Sequence, residues 1–255
     1  MAAHIARWRT DGIEVVTLQR PPVNAMDLEL LEELKDLFTA LGDDGSARAA
    51  VLTGQGSTFC AGLDVKVVPQ HGKAEQLRLL EVLNAMILAV YGCSLPVVGA
   101  INGHAIAGGL VLALCCDWRI VAVADTPGSP AEAQVSLAEV KVAIPYPVAA
   151  MEVVRSELSG QIARRLVLSG ENLGLSEALS GGIFDESAPG DRLMETALAK
   201  AARYAELPRA AFSTIKRQLK EPTLSAIVSA LHEGREPLRE HWISEETIAA
   251  TRRPR

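Results

Sequence analysis

A glycine pair, Gly108-Gly109, closes the β-like stretch Ile101-Asn102-Gly103-His104-Ala105-Ile106-Ala107 and opens directly into apolar sequence from Leu110 onward that reads as a helix. The first amides of a helix have no acceptor within it, and glycine lets a ligand approach the backbone, so such a start favours negative charge. A second glycine turn, Phe59-Cys60-Ala61-Gly62-Leu63-Asp64, lies upstream and also follows an apolar strand. One such turn alone usually marks only a tight bend. Two of them, in consecutive structural repeats, can each aim one amide at the same oxygen, which is how an oxyanion hole is built. The natural donors are the N–H groups of Leu63 and Gly108. Each well-aimed donor contributes on the order of 3 kcal/mol to a transition state that gathers charge on that oxygen.

The elements that must hold these turns follow from periodicity and breakers. Residues 5–7 and 13–18 read as a hairpin around Thr10-Asp11-Gly12, ended by Pro21-Pro22. Asp27 is placed to cap a helix whose apolar face is Leu28, Leu31, Leu34, Leu37, Phe38 and Leu41. Strands are predicted at residues 49–53, 97–101 and 118–122, and helices at 74–91 and 108–116. Strand, turn and helix thus recur about every 50 residues, the mark of stacked ββα units in an α/β fold. Residues 125–133, rich in Pro, Gly and Ala, read as a loop, 135–142 as strand or loop, and 145–157 as helix. Helices then dominate, at 162–168, 176–180, 192–205, 208–220 and 223–233. The expectation is a core over residues 1–190 that carries the site, with residues 191–255 as a helical region for packing and oligomerisation.

Bulk properties narrow the classes of function. The 255 residues are 49% hydrophobic but only 4% aromatic, so the core must be built from Ala, Val, Leu and Ile. A net charge of −6 with no basic stripe argues against a nucleic-acid partner. Cys60, Cys93, Cys115 and Cys116 show neither metal-ligand spacing nor a disulfide framework, as expected of buried thiols in a reducing cytoplasm. The first nine residues lack an apolar signal core, and a cytoplasmic location is expected. Residues 95–116 have the length of a membrane span, but Pro96, Asn102, His104 and their glycines break it, because lipid cannot satisfy interrupted backbone. No metal-ligand cluster and no phosphate loop is present, so no metal is expected.

Several segments together resemble the enoyl-CoA hydratase/isomerase (crotonase) superfamily. They are Arg20-Pro21-Pro22-Val23-Asn24-Ala25-Met26, the turn from Phe59 through Asp64 with Val65-Lys66, the stretch from Ile101 to Gly109, Cys116-Asp117-Trp118-Arg119-Ile120, and Ser169-Gly170-Glu171 with Ser176-Glu177-Ala178-Leu179 and Gly182-Ile183. The resemblance covers nearly the whole chain. It implies a spiral of ββα units with a C-terminal helical trimerisation region, assembled as a homotrimer or a dimer of trimers. It also implies an acyl-CoA substrate, with coenzyme A entering as part of that substrate and no separate cofactor. The thioester oxygen would sit between the amides of Leu63 and Gly108. Val23 and the stretch Ala61, Leu63, Asp64, Val65 and Lys66 would line the coenzyme A. Asp64 and Lys66 read equally well as a capping residue and a solvated one.

Activating a thioester moves no proton, so an acid/base is needed. Hydratases of this family place one glutamate just after the glycine turn and a second on a later segment. The first position here is Val111, and an alkyl side chain cannot activate water. The second is matched by Glu139, in Ser136-Leu137-Ala138-Glu139-Val140-Lys141-Val142-Ala143-Ile144-Pro145, which resembles the segment bearing the single glutamate of Δ3,Δ2-enoyl-CoA isomerases. Leu137, Val140 and Val142 should bury it and raise its pKa, suiting it to shuttle a proton. Asp117 and Glu139 are 22 positions apart, more than the family's usual spacing. Residues 125–133 therefore read as an insertion, and without a gap Glu132 would take the catalytic place.

The leading expectation is an isomerase that shifts a 3-enoyl-CoA double bond to the 2-position through Glu139. The alternatives are a hydratase or other acyl-CoA lyase, and a non-catalytic acyl-CoA-binding protein. Other candidates carry blander readings: His104 and Cys60 as packing residues, Asp117 as a structural hydrogen-bond acceptor, and Lys216 as part of a solvated helix face or a contact to coenzyme A phosphate from a neighbouring subunit.

Overall fold

The computed structural model describes residues 4–123, 133–236 and 242–251. The N-terminal hairpin forms from β1 (Ile5–Thr10) and β2 (Ile13–Leu18), paired antiparallel. β2 then pairs in parallel with β3 (Ala49–Gly54), β3 with β5 (Val97–Ile101), β5 with β7 (Trp118–Val123), and β7 with β9 (Glu186–Pro189). A second, smaller parallel sheet is made of β4 (Thr58–Cys60), β6 (His104–Ile106) and β8 (Val135–Ser136), in that order. After the hairpin, each of the next three strand pairs therefore sends one strand to each sheet before its helix. The helices are α1 (Leu28–Asp43) after the hairpin, then α2 (Lys73–Tyr91), α3 (Gly108–Leu114) and α4 (Val148–Glu157), followed by α5 (Gly160–Ser169) and α6 (Leu175–Ser180). This is the expected ββα spiral.

The large sheet is covered on both faces, which is why its parallel strands read as continuous Val, Ile, Leu and Ala rather than alternating with polar residues. Val16, Leu18, Leu52, Ile101 and Val121 face the main core, shared with α1 to α4. Their neighbours Val15, Val51, Val98, Ala100 and Ile120 pack under Leu193, Ala197 and Ala201 of α7 (Leu193–Ala205). Asp27 caps α1 as expected, accepting from the Leu30 amide at 3.0 Å.

Four local expectations change. Residues 135–142 form the short β8 and then a 3₁₀ turn, Ala138–Val142. β9 was not anticipated, because Glu186-Ser187-Ala188-Pro189 carries no apolar alternation, and neither was α9 (Glu245–Thr251). The helices expected at 208–220 and 223–233 are one, α8 (Arg209–His232), running through Pro222. A proline forfeits one helical hydrogen bond there, but Lys216 and Lys220 before it and Ile227 and Ala230 after it are all buried, so core packing holds both halves in one helix. Of the loop expected at 125–133, only Ala133 is among the described residues, and it is buried.

Lys216 is neither solvated nor available to a ligand. It and Lys220, one turn apart on the buried face of α8, both reach Asp117: Lys216 Nζ donates to Oδ2 at 2.5 Å and Lys220 Nζ to Oδ1 at 2.7 Å. Asp117 also accepts from the Val97 amide at 2.8 Å, so one carboxylate joins the start of β5 to α8. Burial alone would raise its pKa, but the two ammonium groups outweigh that and hold it below the ordinary value. Removing the carboxylate strands two buried cations. Asp117→Ala is expected to cost about 3–5 kcal/mol in urea-unfolding stability, whereas breaking the exposed Arg192–Glu195 pair should leave stability nearly unchanged.

Candidate active site

The segment carrying Leu63 is held by a short ladder to the strand-like stretch at Met26. The Met26 amide donates to Gly62 O at 2.7 Å and the Asp64 amide to Met26 O at 2.9 Å. A trans peptide points its C=O and N–H in opposite directions. With Gly62 O turned toward Met26, the Leu63 N–H must point the other way, and among the described residues it meets no acceptor. The same logic sets Gly108. Ala107 O accepts from Leu110 at 2.9 Å and Val111 at 3.2 Å, along α3, which turns the Gly108 N–H off the helix start. Ala107 adopts φ +53, ψ −129, a strained conformation for a residue with a side chain, of order 1–3 kcal/mol, and it is this torsion that aims the Gly108 amide.

The two turns touch. A Cβ placed on Gly62 would lie 2.9 Å from Gly108 N, and one on Gly108 would lie 3.9 Å from Leu63 N. Gly109 lets α3 pack directly on β4: a Cβ there would meet Cys60 O at 2.0 Å. The glycines that flagged the site in the sequence are thus required by the closeness of the two repeats. Arg20 braces the arrangement, donating to Asp27 Oδ2 at 2.7 Å and pairing with Asp64 Oδ2 at 2.8 Å, so the α1 cap and the Leu63-Asp64 segment are fixed together.

Both turns open into one cavity of about 250 Å³. Val23, Ala61, Leu63, Asp64, Val65, Lys66 and Gly108 all line it, as does Glu139. Most of the remaining lining is aliphatic, with Leu83, Ile87, Val111, Val142, Ile144 and Ala150 among it. Asp64 is engaged by Arg20 and by the Lys66 amide, at 3.0 Å, which favours its capping role; Lys66 is exposed at the rim. Glu139 is the other lining carboxylate. It is 8% exposed, and its burial pushes the pKa up to about 7, against a hydrogen bond from Tyr146 that lowers it. Tyr146 Oη donates to Glu139 Oε2 at 2.7 Å.

The burial of Glu139 is only in part the one its sequence neighbours suggest. Leu137 and Val142 are buried, but Val140 points outward at 49% exposure. The missing cover comes from Tyr146, a residue the sequence reading did not single out. Ala143, left-handed at φ +53, ψ +39, reverses the chain after the 3₁₀ turn and returns Tyr146 to the carboxylate. A glycine at Ala143 would have flagged that reversal; an alanine does not.

The blander readings stand where expected. His104 Nδ1 accepts from the Gln134 amide at 3.2 Å. All four cysteines are free and buried, and burial pushes Cys60 up to about 12, so it is no nucleophile at neutral pH. Glu132 lies outside the described residues. Among those described, His4, Asp27 and Glu29 bring ligand atoms within 4.8 Å of one another, but both Asp27 oxygens are taken by Arg20 and the Leu30 amide. No described helix is long and apolar enough to cross a membrane.

Comparison with known proteins gives this geometry its family. The sequence pattern described as enoyl-CoA hydratase/isomerase matches residues 9–251. The chain belongs to the enoyl-CoA hydratase/isomerase family. A probable enoyl-CoA hydratase of Mycobacterium leprae (strain TN) is 35% identical over 216 residues, 81% of this chain and 71% of that protein. The mitochondrial enoyl-CoA delta isomerase 1 of Homo sapiens is 31% identical over 219 residues, 86% of this chain and 70% of that protein. The crystal structure of human mitochondrial delta3-delta2-enoyl-CoA isomerase superposes with a TM-score of 0.88 at 27% identity, covering 97% of this chain and 95% of that one. The crotonase-type spiral and an acyl-CoA enzyme of this family are thereby shown, with both hydratases and isomerases among its named relatives.

Proposed function

We propose that this enzyme is a Δ3,Δ2-enoyl-CoA isomerase that uses Glu139 for both proton transfers. The observation that carries this reading is the cavity wall: among the described residues Glu139 is its one carboxylate outside an ion pair, and Val111 occupies the position beside the oxyanion turn where hydration would need another. Ionised Glu139 takes a proton from C2 of the acyl chain. The C–H electron pair forms a C1–C2 double bond, and charge moves to the thioester oxygen, held by the amides of Leu63 and Gly108. When the thioester carbonyl reforms, the C1–C2 pair becomes the C2–C3 double bond and the old C3–C4 pair takes the proton back from Glu139 at C4. One proton leaves and one returns, so no water, metal or redox partner enters the balance. Coenzyme A is part of the substrate, over the surface from Val23 to Lys66, and no separate cofactor is required.

A substrate carrying deuterium at C2 tests the shuttle. The expected product holds deuterium at C4 in a substantial share of its molecules, read by mass spectrometry. Product formed at full rate with only solvent hydrogen at C4 would mean that a second group delivers the proton. Because the base must be ionised, kcat/KM is expected to rise with pH through an apparent pKa of about 7. A profile flat from pH 5 to 9 would exclude Glu139 as the base.

A further inference from the structure

The hydroxyl of Tyr146 faces two acceptors and has one hydrogen to give. Glu139 Oε2 is 2.7 Å away and Leu137 O is 3.2 Å away. Burial, and then the nearby charge of Glu139, push its own ionisation far above the ordinary phenol value, so it remains a donor rather than a base. Among the described residues it is the one side chain hydrogen-bonded to Glu139; of the other side chains lining the cavity, Asp64, paired with Arg20, and exposed Lys66 are charged, and the rest are alkyl or aromatic. A carboxylate buried among such groups resists ionisation, and one well-placed donor offsets part of that resistance.

We propose that Tyr146 is a positioning residue for proton transfer: it holds Glu139 by Oε2, leaves Oε1 for the acyl carbons, and favours the carboxylate form by donating to it. Leu137 O gives the same hydroxyl an acceptor while Glu139 carries the substrate's proton, so the ring stays in place through both halves of the reaction. This rests on Glu139 being the base, and on the chain reversal at Ala143 that brings Tyr146 back to it.

The test is Tyr146→Phe, which keeps the ring and removes only the hydroxyl. The rising limb of kcat/KM is expected to move up by about one pH unit, with a loss of about fivefold at pH 7 that recovers toward pH 9. The fall is expected in kcat, with KM and the affinity for a saturated acyl-CoA close to those of the parent. A ¹³C-carboxyl NMR titration without substrate, with the Glu139 signal assigned by its absence in Glu139→Gln, should show the same upward displacement. That reading stands even if the variant is too slow to assay. A pH profile and carboxyl titration superimposable on the parent would overturn the role of Tyr146 and leave Glu139 as the base. Full activity in Glu139→Gln would instead remove the base, whatever Tyr146→Phe does.

Discussion

Glu139→Gln is expected to lower kcat for a 3-enoyl-CoA by about 10²–10⁴-fold, the usual contribution of a positioned acid/base. Affinity for the CoA ester should barely change. Glutamine keeps the size and can still accept from Tyr146 at the position of Oε2, so the cavity and the two proposed oxyanion donors should persist. The same substitution should make the protein more stable at alkaline pH. In the folded state the carboxyl titrates at about 7, against 4.5 for an unperturbed group. Between those values the unfolded chain has lost a proton that the folded protein retains. Stability therefore falls as pH rises across that window, on the order of 2–3 kcal/mol by pH 8. Glutamine has no proton to lose. The variant's melting temperature should match the parent's below pH 4.5 and exceed it at pH 8. A buried base that is costly to ionise is a local sacrifice of stability for reactivity.

Gly62→Ala is the second large effect, with kcat expected to fall about 10²–10³-fold, as when one oxyanion donor is lost. A Cβ at this position would lie 2.9 Å from Gly108 N and 3.0 Å from both the Ala107 Cβ and Ile106 O. The surroundings are backbone and a stub side chain on another strand, so they cannot yield as the end of a long side chain would. The position is also left-handed, at φ +81, which adds backbone strain. The two donors would be forced apart or turned off their common target. Gly182→Ala is the control. Gly182 is left-handed as well, at φ +73, but a Cβ there meets nothing within 4 Å. It should lose comparable stability and retain turnover. Equal losses of turnover in both variants would mean that backbone strain, rather than the oxyanion geometry, explains Gly62.

The sequence made the spiral legible because each repeat repeats its signals. An apolar strand, a glycine turn and an amphipathic helix recur, and the doubly buried sheet leaves continuous Val, Ile and Ala as its trace. The two glycine turns were legible for a related reason: close packing of two repeats tolerates only glycine at Gly62 and Gly109, and glycine is visible. What stayed hidden depends on residues that carry no such mark. Tyr146 reaches Glu139 through a left-handed alanine, and Ala107 aims the Gly108 amide through a torsion usually left to glycine. Lys216 reads as an ordinary charge of a solvated helix until Asp117, about 100 residues earlier, is found between it and Lys220. Long-range pairing of charges leaves no local pattern. Pro222 misled for the opposite reason: it is a strong local signal that burial of α8 on either side overrides.

Product analysis with both double-bond isomers tests the central claim most directly. The purified enzyme is given a 3-enoyl-CoA and, separately, the matching 2-enoyl-CoA in water. The expected result is rapid conversion of the first to the 2-enoyl ester, and no 3-hydroxyacyl-CoA from the second beyond the uncatalysed rate. Formation of 3-hydroxyacyl-CoA from the 2-enoyl ester at a rate comparable to isomerisation would contradict the single-carboxylate reading and make the protein a hydratase despite Val111.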